Sequence, residues 1–140
     1  MLNVELAIAA AMMQFKGVDY TPRQHDCVTF TQAYLHAFTG MERFAPEKGV
    51  CSRQIYNRQI TEDILRIHVS DALGEPAERP PETGDVIVWA GTEEGNGTGI
   101  VLMATPHTRA PIVALTFMPT GLMRCIPANP IGHWSPMDIP

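Results

Sequence analysis

Three prolines between Glu75 and Glu82 (Pro76, Pro80 and Pro81) divide this 140-residue chain, and no other feature limits its fold as much. Proline has no backbone N–H and a fixed φ, so the stretch cannot be helical and reads as an extended connector. Before it, apolar residues recur at helical spacing. After it, they come in short β-rich runs. Helices first and strands second is the pattern of an α+β fold, not of alternating βαβ units.

In the first half, Val4, Ile8, Met12 and Phe15 form a helical stripe with Asn3 as N-cap, Glu5 in the first turn and Gly17 at the end. A polar connector, Val18 to His25, follows. The next helix begins near Asp26 or Cys27, carries Phe30, Ala33, Tyr34, Ala37 and Phe38 on one face, and stops at Gly40. Ser52 to Leu73 is mainly helical, with a break near Thr61; Ile60, Ile64 and Ile67 make one stripe, which Val69, Ala72 and Leu73 extend towards Gly74.

In the second half the predicted strands are Val86 to Trp89, Gly99 to Ala104, Ile112 to Phe117 and Leu122 to Ile126. Turn residues separate them at Gly91 to Gly97, Pro106 to Pro111 and Pro119-Thr120-Gly121, which predicts an antiparallel meander. Pro127 to Pro140 carries four prolines and reads as an extended tail over the surface, anchored by Trp134. The expected organisation is one domain over 1–140, helical over 1–74 and strand-forming over 83–127, with a tail over 128–140.

A chain of this length with 45% hydrophobic and 18% charged residues buries a core without disulfides or metal. Its formal net charge of −5, with no basic run, argues against a nucleic-acid partner. Cys27, Cys51 and Cys125 lie far apart in odd number, which fits folding in a reducing cytosol, and none is spaced as a zinc or redox motif. Glu5 stands where a signal peptide needs a basic region, and Leu6 to Met13 is too short to cross a bilayer. No signal peptide, membrane insertion, cofactor or metal is expected.

Cys27 is the residue with chemical promise. At the start of the best helix its sulfur lies near the positive end of the helix dipole, which favours the nucleophilic thiolate. The competing reading is a small, buried core residue.

Asp26-Cys27, followed by an amphipathic helix ending at Gly40, resembles the Asp-Cys start of the nucleophile helix in NlpC-type cysteine peptidases. Thr83-Gly84-Asp85-Val86-Ile87-Val88-Trp89 resembles that family's Pro-Gly-Asp-Leu lead into its first strand, and Gly99-Ile100-Val101-Leu102 its next strand. Order and spacing agree over roughly residues 18–105. The resemblance is closer to small NlpC-like proteins encoded among phage tail genes, whose closing aromatic segment Gly132-His133-Trp134 resembles. It implies a papain-like fold, with N-terminal helices packed on a C-terminal antiparallel sheet. It also implies Cys27 as candidate nucleophile, cell-wall peptides as the substrate class, other tail proteins as partners, and a place in a virion tail assembled in the host cytoplasm.

The family's general base, a histidine just before the Gly-Ile strand, falls on Gly97 in this chain. Glycine neither accepts a proton nor orients a thiolate, and a cysteine peptidase needs a base within hydrogen-bond reach. The other histidines are poorly placed. His107 lies beyond a strand about 23 Å long, and His36 about 13 Å along the same helix. His25 reaches the sulfur only if the helix starts after it, and nothing places His68. His133, in the tail, is the reserve candidate for a substitute base.

Other patterns are bland. Gly95-x-Gly97-x-Gly99 precedes a strand rather than a helix, so it reads as a hairpin loop and not a dinucleotide site. Glu93 and Glu94 read as solvent-facing, Asp85 as a turn stabiliser, Trp89 and Trp134 as anchors, and the eight methionines as adaptable packing. Two functions stand: a catalytically degenerate tail-tip or tail-assembly component, favoured by Gly97, or an active cell-wall peptidase or amidase using Cys27.

Overall fold

The computed structural model describes residues 3–21, 24–45, 69–92, 95–104, 112–127 and 129–139. They contain helices α1 (Val4–Phe15) and α2 (Cys27–Thr39) and a 3-10 turn at Glu42–Phe44. Five strands follow: β1 (Val86–Thr92), β2 (Gly95–Met103), β3 (Val113–Met118), β4 (Gly121–Cys125) and β5 (Pro130–Trp134). A second 3-10 turn spans Pro136–Asp138. Residues 69–73 are helical. The rest of the expected 52–73 segment, with His68, lies outside the described residues, as do Cys51, Glu93, Glu94 and the Pro106 to Pro111 turn with His107. The fold is α+β.

Local chemistry sets both helix starts. The Asn3 side chain accepts from the Leu6 N–H at 2.8 Å. At α2, Asp26 Oδ1 accepts from the Thr29 N–H and Thr29 Oγ1 accepts from the Asp26 N–H, both at 2.9 Å. This reciprocal capping box satisfies two donors that a helix start otherwise leaves unpaired. Gly40 closes α2 in the left-handed conformation, φ 72°, its N–H donating to the His36 carbonyl.

The buried face of α1 differs from the expected stripe. Ala7, Ala11 and Phe15 are buried, Val4 and Ile8 are half-buried, and Met12 is 39% exposed. The helix is rolled so that its alanines meet the core, where small side chains allow close approach, and the longer Met12 points outward. In α2, ten of thirteen residues are buried, far more than one stripe. It is a central helix, in contact with α1, β2 and β3.

The sheet has the order β4-β3-β2-β1-β5 and every pairing is antiparallel. β1 to β4 form the expected meander. Two expectations are corrected. The turn expected at Gly91 to Gly97 is mostly strand, since β1 runs to Thr92 and β2 begins at Gly95. Gly97, and Gly99 just after the stretch, serve close packing within the sheet: a Cβ at Gly97 would lie 2.5 Å from the Trp89 ring, and one at Gly99 would collide with the Leu115 carbonyl oxygen. The second correction concerns the tail, which supplies β5, pairing with β1 from Val86↔Trp134 to Trp89↔Pro130. Val86, Ile87 and Val88 are all fully buried. A strand apolar on both faces belongs in a sheet interior, and β5 puts β1 there.

The two faces of the sheet bury different sets. Val86, Val88, Ile100, Leu115, Phe117 and Trp134 share a core with Cys27, Phe30, Tyr34 and the rest of the helical layer. Ile87, Trp89, Val101 and Ala114 form a second cluster. Side chains alternate along each strand, so the second cluster occupies the opposite face.

The proline-rich connector is tied down firmly. Arg79 makes a two-pronged pair with Asp85 (2.8 and 2.9 Å), and Asp85 Oδ2 also accepts from the Glu82 N–H at 2.9 Å. Ala77 donates its N–H to the His133 carbonyl, and Trp134 Nε1 donates to the Gly74 carbonyl at 2.9 Å. The Trp134 indole, 2% exposed, is the anchor expected of it.

Candidate functional site around Cys27

Cys27 is the first residue of α2, directly after the N-cap Asp26, and is 6% exposed. Its thiol is pushed up from 9.0 to about 12, first by burial and then by the Asp26 carboxylate. Backbone N–H groups of Thr98, Cys27 and Val28 act in the opposite direction without overcoming them. Helix-start placement therefore does not yield a thiolate. The dipole contribution is of order one kcal/mol, whereas loss of hydration around a buried thiolate is larger. At neutral pH the sulfur is an S–H.

The group that meets the sulfur from the sheet is the Thr98 amide. Thr98 is buried, its hydroxyl donates to the Ile87 carbonyl at 2.9 Å, and its own carbonyl accepts from Thr116 Oγ1 at 2.7 Å. Every polar group of Thr98 is thus structural. Gly97, the position where the resemblance puts the base, pairs with Trp89. Trp89 belongs to the cluster on the face away from Cys27. A side chain at residue 97 would therefore enter the Trp89 ring, not the vicinity of the sulfur.

The structure also places His133 away from Cys27. It pairs with Ile87, and residues directly opposite in an antiparallel pair share a face, here the one opposite Cys27. Its Nε2 lies 2.6 Å from the Arg79 carbonyl oxygen, which fastens β5 to the connector. The His25 ring packs edge-on against Phe15, with centroids 5.6 Å apart. His36 is at the far end of α2, with Nε2 4.0 Å from the Glu42 carboxylate. His36 and His133 are thus held elsewhere; α2 does start after His25, but among the described residues no hydrogen bond joins the His25 ring to the sulfur.

Two interactions lie beyond what the sequence patterns indicate. Arg79 neutralises the buried Asp85; its signal is that it is the single basic residue between Glu75 and Asp85. Asp85 does brace the turn, as expected. Tyr34, which in the sequence belongs only to an apolar stripe, donates its hydroxyl to the Gly84 carbonyl at 2.6 Å and ties α2 to the start of β1. Burial, followed by Asp85, raises the pKa of that phenol. Gly84 itself requires glycine: φ is 93°, and a Cβ would lie 2.7 Å from a Val4 methyl.

A separate groove of about 440 Å³ runs between Phe15 to Tyr20 on one side and Phe117 and Pro119 to Leu122 on the other, and Tyr20 stacks on Phe117 with centroids 5.9 Å apart. Cys27 does not line it. Among the described residues, no three His, Cys, Asp or Glu side chains converge to hold a metal ion, and no helix is long and apolar enough to cross a membrane.

Comparison of the chain with known protein families, with curated proteins and with solved structures found no match.

Proposed function

We propose that this chain is a catalytically silent NlpC-like domain serving as a structural component of a phage tail tip or of tail assembly. The observation that carries the silent half is the state of Cys27. Its sulfur is buried, protonated and surrounded by backbone amides, and His36 and His133 are held elsewhere. Among the described residues no imidazole is placed as a base for this sulfur, and a nucleophile without a base in reach does not turn over a peptide bond.

The NlpC-like half is supported by the arrangement of the motifs. Asp26-Cys27 opens a buried helix, Gly84-Asp85 leads into β1, and Gly99-Ile100 lies in β2, in contact with that helix. The tail assignment, with other tail proteins as partners, follows from the resemblance to small NlpC-like tail proteins by analogy of fold.

Two measurements test the proposal. Purified protein incubated with cell-wall peptides should release no new amino groups above background; turnover that disappears in Cys27→Ala with the fold unchanged would replace it with the peptidase or amidase reading. Mass spectrometry of purified particles from the genome that encodes the chain should find it in the tail, and particles that assemble fully without it would remove the structural role.

A further inference from the structure

The two edges of the sheet are finished differently. Along β5 the connector covers the outer side: Ala77 donates to the His133 carbonyl, and the His133 ring and Trp134 indole bond to Arg79 and Gly74. Along β4, no backbone hydrogen bond from any described residue reaches the outer side. Of the usual edge protections β4, Gly121-Leu122-Met123-Arg124-Cys125, has its short length and the charge of Arg124, but no bulge and no internal proline or lysine. Its pairing with β3 runs without a register shift, whereas the three other strand pairings each contain one.

The register defines what that edge offers. Met118 pairs with Gly121 across the two-residue turn Pro119-Thr120. That closing pair is hydrogen-bonded, and bonding alternates along an antiparallel ladder. Thr116↔Met123 and Ala114↔Cys125 are therefore bonded pairs, so Leu122 and Arg124 turn their N–H and C=O groups outward. Such an edge is self-complementary. A twofold axis at Met123 sets Leu122 opposite the second copy's Arg124, and Arg124 opposite its Leu122, as two bonded pairs. Met123, 38% exposed, meets its own copy in the closer, unbonded pair. This register also fits the charges. Arg124 is the only charged residue of β4, and here it faces an apolar residue rather than another arginine.

We propose that β4 pairs antiparallel with β4 of a second copy of this chain about a twofold axis at Met123, joining two five-stranded sheets into one of ten. The contact is isologous and closes on itself, which gives a dimer and not a fibre. It does not depend on the fate of Cys27 or on the tail assignment, so it can fail while those stand.

Sedimentation analysis of the purified chain tests it, together with Met123→Cys and Arg124→Pro. The wild type should dimerise reversibly. Arg124→Pro removes an outward donor from each copy and should weaken the dimer by tenfold or more, on the order expected for two lost hydrogen bonds, with an unchanged circular dichroism spectrum. Under mild oxidation Met123→Cys should give a covalent dimer linked 123 to 123, because an unbonded antiparallel pair holds Cα atoms about 4.5 Å apart, within disulfide reach. A wild type that stays monomeric up to its solubility limit overturns the proposal. So does a dimer crosslinked through Cys125 instead, or one that Arg124→Pro leaves intact.

Discussion

Alkylation kinetics read the state of Cys27 directly, because only the thiolate attacks iodoacetamide. With the thiol pushed from 9.0 to about 12, its thiolate is about a thousandfold scarcer at neutral pH than that of an ordinary cysteine. Burial slows attack further, since the sulfur is reached only through local opening. Native protein should therefore label at Cys27 at least about a thousandfold more slowly than the unfolded chain, with half-buried Cys125 labelling ahead of Cys27. Peptide mass spectrometry measures both. The same shift shapes stability at alkaline pH. The folded pKa lies above the unfolded one, so between them the folded state keeps a proton that the unfolded state has lost. This stabilisation is complete below about pH 9 and is lost as pH rises through about 12, with a ceiling of about 4 kcal/mol for a shift of this size. Tyr34 contributes in the same direction, so the readout is the difference between wild type and Cys27→Ala. Urea denaturation should show a steeper alkaline decline in the wild type. Labelling of Cys27 at the rate of an unfolded thiol, or identical alkaline slopes, would refute the reasoning.

Gly97→Ala drives a methyl group into the Trp89 ring and should cost about 1–3 kcal/mol in urea denaturation; a neutral result would mean that the indole does not lie over residue 97. Gly97→His should confer no hydrolysis of cell-wall peptides, and an activity gained there would show that residue 97 reaches Cys27 after all. Asp85→Asn loses the charge that holds Arg79 and should cost about 2 kcal/mol, while Arg79→Met, which strands a buried carboxylate, should cost no less; equal stability of both variants and wild type would deny the pair. Trp134→Ala should cost about 3–5 kcal/mol, whereas Trp134→Phe should recover most of it, as thermal denaturation monitored by circular dichroism will show.

Much of the helical half is legible in the sequence because its signals are local. Asn3, Asp26 and Gly40 satisfy helix-end groups within a few residues, and the structure uses each where the sequence pattern puts it. The face of α1 is not legible: its many alanines count as apolar on any stripe, and the choice of Ala7 and Ala11 is made by the helix it packs on. The β1–β2 hairpin is obscured because glycine usually marks a turn, whereas Gly97 and Gly99 serve tertiary contacts with Trp89 and Leu115. β5 is hidden by Pro130 and by its distant partner, for strand pairing across many residues leaves no local pattern. At the site, the position of Cys27 at a helix start is readable from Asp26 and the stripe after it. That the Thr98 amide meets the sulfur, and that His133 turns to the opposite face, depend on strand register, which one residue of slip would invert.

β5 also has a consequence for synthesis. The hairpins from β1 to β4 join neighbours in sequence and form as soon as each strand is made. The last strand must instead return to the first across residues 93–129. Until it arrives, Val86 to Val88 belong to a strand with one bare edge, although they are fully buried in the finished sheet. A nascent chain in that condition invites mispairing with its neighbours on the same messenger. The completion of β1 thus waits on the long-range return of β5 rather than on any hairpin.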